Sequence, residues 1–560
     1  MRKAFSGAVV ALALGASATA LGQSHDGHVA GPPQSAAGWA EGAQLFPGLG
    51  DFRRKVTTRS PLAQRYFDQG MRFLWGFNHD EATRSFAKAA QLDPRCASCW
   101  WGVALTLGPN YNMPVMTEAR ARVGWNALRK AQANAKYATP VERALIAAVA
   151  KRFAGPTPVD PTNSAPLLKS YVEAMRTVAA RYPDDADVHT MFAEGLMNTN
   201  PWKLWNPDGS PGPGTPEIVV VLAKVLKASL RHPGANHYWI HAVEASPNPG
   251  HALASAEVLT GMMPAAGHIE HMPAHIMQRV GRYAEAEEAN RKGAAADVAY
   301  LKRTAAPDYY PMYLIHNYQF LANSAAMAGR SAEALAALRT ALKAMPDEML
   351  IAMPGLDWGA GFLYDGLVSF GRWDEMLAEP TPNPKLGGLT TGYLQSRAIA
   401  LAMLGREAEA RTALGDAEAV IARSPADATQ GMNAAKDVYA IGQLKARARI
   451  ASRGGKRDEA IALLREAAAI DLRLSYNEPR DIFMPATHLL GAELLAAGRA
   501  SEAETVYRAD LKRFPNDGWA LFGLNKALAA QGKASEAAAA QAEFDTAWKR
   551  ADIKLSASAF

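Results

Sequence analysis

The sequence predicts an all-α chain, an irregular solenoid of stacked antiparallel helix pairs, on three observations. A helix-turn-helix pattern recurs along most of its 560 residues, strand signals are nearly absent, and almost half of the residues are hydrophobic, with alanine abundant.

The recurring pattern joins an apolar helix, a Gly-Arg or Gly-Lys turn and a second helix rich in Glu and Ala. It reads VGRYAEAEEANRKG from Val280, AGRSAEALAALRTALKAMP from Ala328, FGRWDEML from Phe370 and LGREAEARTAL from Leu404. It continues as GGKRDEAIALLREAAAID from Gly454, AGRASEAETVYRADLKRFP from Ala497 and QGKASEAAAAQAEF from Gln531. This is tetratricopeptide-type punctuation. The step between turns runs from 34 residues (Gly371 to Gly405) to 50 (Gly405 to Gly455), so several units carry longer helices or inserted loops. Each helix pair has an apolar face that it cannot bury alone, which is why such units stack. Alanines are expected where helices cross closely.

Near the N-terminus, YFDQGMRFLWGFNHDEATRSFAKAAQLDP supplies a further unit, with Asn78 and Asp80 as helix-cap candidates and Pro94 closing the second helix. The apolar run EIVVVLAKVL from Glu217 leads into a helical pattern and reads as a core helix. NTNPWKLWNPDGSPGPGTP, from Asn198, is dense in Pro and Gly and reads as an irregular connection that carries Trp202 and Trp205.

The first residues combine Arg2 and Lys3, an apolar run from about Ala8 to Leu14, and small residues at Ala18 and Ala20. That is the pattern of a secretory signal peptide, residues 1–22, followed by a loose leader over 23–48. The expected divisions of the rest are an N-terminal repeat region (49–215), a histidine-rich helical region (216–345) and a C-terminal repeat array (346–560). An exported protein, periplasmic or secreted, follows. No later segment reaches the ~20 uncharged apolar residues of a membrane-spanning helix. The net charge of +6 is small, and no basic run interleaved with aromatics would track a phosphate backbone, so nucleic acid is not an expected partner.

The two cysteines, Cys96 and Cys99, lie in DPRCASCWWG. No histidine follows Cys99, which excludes the usual haem-attachment motif, and no second pair completes a four-thiolate zinc site. A local disulfide, two buried thiols and a metal-binding pair all remain open.

Seven of the thirteen histidines fall between His232 and His275, where even spreading would put about one. In HYWIHAVE, His237, His241 and Glu244 stand at i, i+4 and i+7, one stripe of a helix. In GHIEHMPAHIMQRVG, His268, His271 and His275 stand at i, i+3 and i+7, one stripe if the helix runs through Pro273, although Pro273 can equally open a helix. The stripes lie about 30 residues apart, the length of a helix pair, so they are expected to face each other. His316, in YPMYLIHNYQF, adds a further ligand candidate. Six histidines and one carboxylate serve one metal with supporting groups or two metals close together. Imidazoles suit zinc, copper, iron or nickel, and Met262, Met263 and Met272 add soft donors, so copper or zinc is the expected ion. Glu244 is a candidate ligand or general base, with Glu270 and Asn317 as supporting groups. His79, His189, His232, His251 and His488 read as hydrogen-bonded structural residues.

HYWIHAVE is not the HExxH of zinc proteases, since Tyr238 follows His237, and no phosphate loop, GxSxG elbow or dinucleotide fingerprint occurs in a suitable setting.

FNHDEATRSFAKAAQLDPRCASCWWGVALTLGPNYN, HPGANHYWIHAVEASPNPGHAL, GHIEHMPAHIMQRVGRYAEAEEAN, YPMYLIHNYQFL and FPNDGWALFGL together resemble a family of large secreted bacterial tetratricopeptide-repeat proteins. The resemblance implies the repeat fold and export, and no particular reaction. Gln319 stands where it leads one to expect a second histidine.

Three functions fit these residues. One is a metal-dependent protein, an enzyme if a coordination position is open to a substrate; Glu194, Glu244, Tyr238 and Tyr310 are available for proton transfer. Another is an interaction scaffold that holds a protein or peptide on its concave face. The third is copper or zinc storage and delivery, against which stand the apolar flanks Trp239, Ile240, Ile269 and Ile276.

Overall fold

The structure, a computed structural model, describes residues 32–159, 163–304, 309–353 and 355–560. The expected signal peptide and the start of the leader lie outside the described residues. The residues group into two compact units, one of residues up to 276 with 292–314, the other of 277–291 with 315–560.

The first unit contains α1 (Ala36–Ala40), α2 (Pro61–Trp75), α3 (His79–Leu92), α4 (Ala97–Leu107), α5 (Glu118–Asn134), α6 (Pro140–Val149), α7 (Ala165–Arg181), α8 (Ala186–Met197), α9 (Thr215–Ala228), α10 (Pro233–Val243) and α11 (Leu253–Leu259). Three helices, α12 (Gly267–Arg279), α13 (Tyr283–Leu301) and α14 (Pro311–Met327), divide their residues between the units. The second unit continues with α15 (Ser331–Lys343), α16 (Asp347–Ala352), α17 (Asp357–Ala360), α18 (Phe362–Ser369), α19 (Trp373–Ala378), α20 (Gly387–Met403) and α21 (Glu407–Ile421). A two-stranded antiparallel hairpin, β1 (Thr429–Gln430) and β2 (Asn433–Ala434), leads to α22 (Ala435–Arg453), α23 (Arg457–Asp471), α24 (Ala486–Ala496), α25 (Ala500–Arg513), α26 (Gly518–Ala530) and α27 (Ala534–Ala547). No described helix is long and apolar enough to cross a membrane.

Local chemistry sets the helix starts. Ser60 caps α2 ahead of Pro61, and Thr139 with Glu142 forms a capping box on α6. Asn78 caps α3 as its position predicts, its side chain accepting from the Glu81 N–H at 3.2 Å. Asp80 does not cap; it lies inside the first turn, 2.7 Å from the guanidinium of buried Arg120. The β-branched run of α9 is amphipathic instead of wholly buried, with Ile218, Leu222 and Val225 inside and Val220 69 % exposed.

Successive helices pack as hairpins in both units, α2 on α3 and α4 on α5 in the first, α20 on α21, α22 on α23, α24 on α25 and α26 on α27 in the second. One contact is common to both. Phe86 of α3 lies between Gly70 and Gly102, where an added Cβ would meet its ring at 2.5 Å; Tyr507 of α25 lies between Gly491 and Gly523 in the same way, at 2.2 Å. In each case the aromatic stands 16 residues after one glycine and 16 before the next. Helix axes approach that closely only where a side chain is missing.

The Gly-Arg and Gly-Lys turns share one geometry. Gly281, Gly329, Gly371, Gly405, Gly455, Gly498 and Gly532 all have φ between 70° and 79°. In each, the next residue's N–H reaches back five residues, as from Arg330 to the Ala325 carbonyl at 2.9 Å and from Arg499 to Leu494 at 2.9 Å. These are Schellman endings, which terminate one helix in a left-handed residue and launch the next.

The last residues fold back into the second unit. Asp552 accepts from the N–H and hydroxyl of Ser331 at 2.8 Å and from the Ala332 N–H at 2.9 Å, capping α15, which has no cap of its own. Tyr507 donates to the Ser558 hydroxyl at 2.6 Å, which donates to the His488 carbonyl at 2.8 Å. The Phe560 ring lies 5.7 Å from that of Trp519, and the Arg449 guanidinium donates to the Phe560 carbonyl.

Two turn glycines separate strain from crowding. An added Cβ at Gly405 meets nothing within 4 Å, whereas at Gly329 it meets the Trp548 ring at 2.4 Å. Gly405→Ala is expected to cost about 1–2 kcal/mol from the left-handed backbone alone. Gly329→Ala should cost about 1–3 kcal/mol more. Denaturant midpoints of the two variants check this, and equal losses would refute the crowding argument.

Candidate metal centre

The candidate ligands converge because two helices present them. Pro233 opens α10, and the His232 ring caps it by accepting from the Ala235 N–H at 3.0 Å while its other nitrogen meets Asp187 at 2.8 Å. His232 is therefore structural, as expected. His237 and His241 project one turn apart, and Glu244 follows as the C-cap residue. On the partner helix, α12 runs through Pro273, so Pro273 does not mark its start.

One ring nitrogen each from His237, His241 and His268 lies within 4.8 Å of the others. Hydrogen bonds decide which nitrogens these are. A carbonyl only accepts, so His237 donates from Nδ1 to the Trp75 carbonyl at 2.5 Å and keeps a lone pair on Nε2. That Nε2 lies 3.1 Å from Nε2 of His268. His241 turns Nδ1 to Glu244 Oε1 at 2.7 Å, which leaves its buried Nε2 with no protein partner. Nδ1 of His268 likewise has no hydrogen-bond partner.

The electrostatics agree with neutral rings. Burial, and then the neighbouring imidazoles, hold His237 and His268 well below the ordinary histidine range. Burial also lowers His241, although Glu244 opposes it. Neutral imidazole is the form that binds a metal.

Glu244 serves two rings at once. Its second oxygen accepts from Nδ1 of His275, whose Nε2 lies 2.6 Å from Nε2 of His271. Burial would raise this carboxyl, but its interactions with His275 and His241, hydrogen bonds from both among them, overcome it and hold it well below the usual carboxylate range. A carboxylate behind an imidazole fixes the tautomer and strengthens the ligand. All five clustered histidines of the two predicted stripes are thus brought together with Glu244 in the first unit. His316 and Asn317 belong to the second.

Other expected groups lie elsewhere. Glu270 faces Lys292 and the Gly261 backbone, with its carboxyl raised by burial. Tyr310 donates to Asp297 at 2.8 Å. Cys96 and Cys99 are joined in a disulfide at the start of α4, which removes them as thiolate donors.

Sequence reasoning missed the ring in the middle. Phe77 has φ +55° and is fully buried, with its centroid 4.4 Å from that of His237, 5.8 Å from His241 and 5.7 Å from His268. Tyr313 adds a second wall, 4.9 Å from the His268 ring, its hydroxyl accepting from Asn112 at 3.1 Å and donating to the Phe77 carbonyl at 3.3 Å. A left-handed phenylalanine is costly and persists where its surroundings hold it.

A second buried group, in the other unit, is held by its own hydrogen bonds. His488 Nε2 lies 2.5 Å from Asp517 and 3.4 Å from Asp510, while Asp517 also caps α26 and Asp510 accepts from Thr487.

No known protein family matches the chain, and no curated protein matches it. Among solved structures, the chain aligns with the APC/C hetero-tetramer Cut9–Hcn1 at 13 % identity and a TM-score of 0.31, over 83 % of this chain and 76 % of that one. The human IFIT1 dimer with m7Gppp-AAAA aligns at 11 % and 0.30 over 88 % and 90 %, and yeast Tom70 at 11 % and 0.29 over 86 % and 91 %. The tetratricopeptide-like architecture rests on the chain's own hairpins and turns.

The His488 group sets a pH dependence. Burial alone would lower this imidazolium, but Asp517 and Asp510 overcome it and push it up to about 9. The folded value exceeds the unfolded value of about 6.5, so the stabilisation is complete below that pH and is lost as the pH rises toward the folded value. The thermal midpoint of the wild type should fall more steeply over that window than that of His488→Gln, and parallel curves would refute the assignment.

Proposed function

We propose that this chain is an exported repeat protein that holds a transition-metal ion, copper or zinc, on His237, His241 and His268, and uses it for catalysis. The observation that carries the reading is the convergence of three buried ring nitrogens while two of the same rings are locked from behind by the Trp75 carbonyl and Glu244. Three protein ligands leave a fourth position for water or substrate, the arrangement of catalytic sites as opposed to closed structural ones. A bound ion would supply Lewis-acid or redox chemistry there. The protein's own part is to keep the rings neutral, fix the tautomers of His237 and His241 and wall the rings with Phe77 and Tyr313. His271 and His275, tied to the first group through Glu244, are candidate ligands of a second ion or supports of the first.

The burial of the ligands, 0–6 % exposed, argues against a carrier that loads and unloads metal readily. Export is supported by the N-terminal pattern and by the Cys96–Cys99 disulfide, a bond that persists mainly in oxidising compartments. The repeat array also suits a scaffold for a protein or peptide partner, a role that is compatible with the metal site.

Elemental analysis of protein purified from an exporting host tests the reading. Near-stoichiometric copper or zinc in the wild type, absent from a folded His237→Ala, His241→Ala, His268→Ala protein, is the expected result; equal, negligible metal in both would sink it. Glu244→Gln should weaken metal affinity roughly 10- to 100-fold without abolishing it. His316→Ala in the same assay removes that residue from the ligand set if the metal content is unchanged.

A further inference from the structure

A cavity of about 520 Å³ in the second unit lies where the repeat spacing is stretched. Across the 50-residue step from Gly405 to Gly455, the β1–β2 hairpin is inserted between α21 and α22. One wall of the cavity is that hairpin, through Thr429 and Gln430; the others are the end of α16, the start of α20 and the end of α21. The volume falls within the range of about 300–1,000 Å³ that small-molecule sites occupy.

The inserted wall is pinned. Asn433 donates to Asp481 at 2.8 Å and to the Ser475 carbonyl at 3.0 Å, and accepts from the Ser475 N–H at 2.7 Å. Asn477 donates to the other Asp481 oxygen at 2.7 Å. Such a network fixes geometry without adding apolar core.

The lining is matched to a ligand that carries both charges. Gln430 is 3 % exposed, and its Oε1 has no donor, a costly state for a buried acceptor. Ile351 is 42 % exposed and lines the cavity together with Leu350 and Val420. Lys385 and Arg423 are exposed cations, and Asp427 an exposed carboxylate, that form no ion pair among the described residues. Asp357, the other carboxylate of the lining, is already engaged: it accepts from the N–H groups of Gly388 at 2.6 Å and Leu389 at 3.2 Å. The start of α20 is therefore satisfied from within, and the two cations remain for a ligand.

We propose that this cavity binds a free dipeptide or tripeptide with apolar side chains. Its carboxylate meets Lys385 and Arg423, its ammonium meets Asp427, an amide N–H donates to Gln430 Oε1 and a side chain covers Ile351. A fatty carboxylate would leave Asp427 and Gln430 unmatched, and an alkylamine would leave both cations unmatched. The site is separate from the histidine cluster and does not rest on its binding a metal. Exposed ion pairs contribute little each, so binding is modest in strength and weakens with salt.

Equilibrium dialysis of the full chain against leucyl-leucine tests this. One peptide per chain is expected. N-acetyl-leucyl-leucine and leucyl-leucinamide each lose one charge and should bind roughly threefold more weakly. Glycyl-glycine, which has no side chain to bury, should not be retained. Lys385→Ala combined with Arg423→Ala should weaken leucyl-leucine binding roughly tenfold, and Gln430→Leu roughly fivefold. No retention of leucyl-leucine at millimolar concentration, equal affinity for the blocked peptides, or undiminished binding in the double variant would each overturn the proposal. Both replaced cations are exposed, so the double variant keeps its fold even if Gln430→Leu does not.

Discussion

Imidazoles buried within 5–6 Å of one another must stay uncharged, and at this centre the proton positions are dictated from outside the cluster. The Trp75 carbonyl can only accept, so it commits His237 to one tautomer; Glu244, ionised, commits His241 and His275 to the same one. Both constraints act on Nδ1 and leave an Nε2 lone pair on His237, His241 and His275, while neither of them acts on His268. Much of the local architecture serves this arrangement: the end of α2 delivers the carbonyl, α10 stops at the carboxylate, and α12 runs unbroken through Pro273 to bring up the opposing rings.

The repeat fold and the histidine cluster were legible in the sequence for different reasons. The Gly-Arg turns announced themselves because a left-handed helix ending tolerates little else, and all seven turn glycines adopt it. The spacing of His237, His241 and Glu244, and of His268, His271 and His275, is a property of helical periodicity alone, and it holds. Phe77 was not legible, because nothing in the residues WGFNHD marks a phenylalanine for positive φ. The role of Trp75 was hidden for another reason: the group that matters is a backbone carbonyl, which every residue possesses. The glycine clasp around Phe86 and Tyr507 was visible only as a 16-residue interval, which means little until the helices are in place.

The last residues of the second unit pack back onto its own helices. Its tail runs past the ends of α15 and α18 to the row formed by α22, α24 and α26, and each of its polar anchors answers a need of the array. Asp552 supplies a helix start with the cap that its own sequence lacks, and the Phe560 backbone oxygen gives half-buried Arg449 an acceptor. Burial lowers Arg449 to about 10, so the tail also stabilises a cation that the core alone would hold poorly.

The depth of the histidine cluster bears on history as much as on chemistry. His237 and His271 are fully buried, and Phe77 seals the rings from one side. An ion held there could exchange only when the surrounding helices open locally, an excursion that a well-packed region makes seldom. The identity of a trapped ion would then be settled during folding, by whichever metal was within reach at that moment. Purified protein would carry a record of the compartment in which it was assembled, and reconstitution after folding would be a slower and different experiment from loading during it.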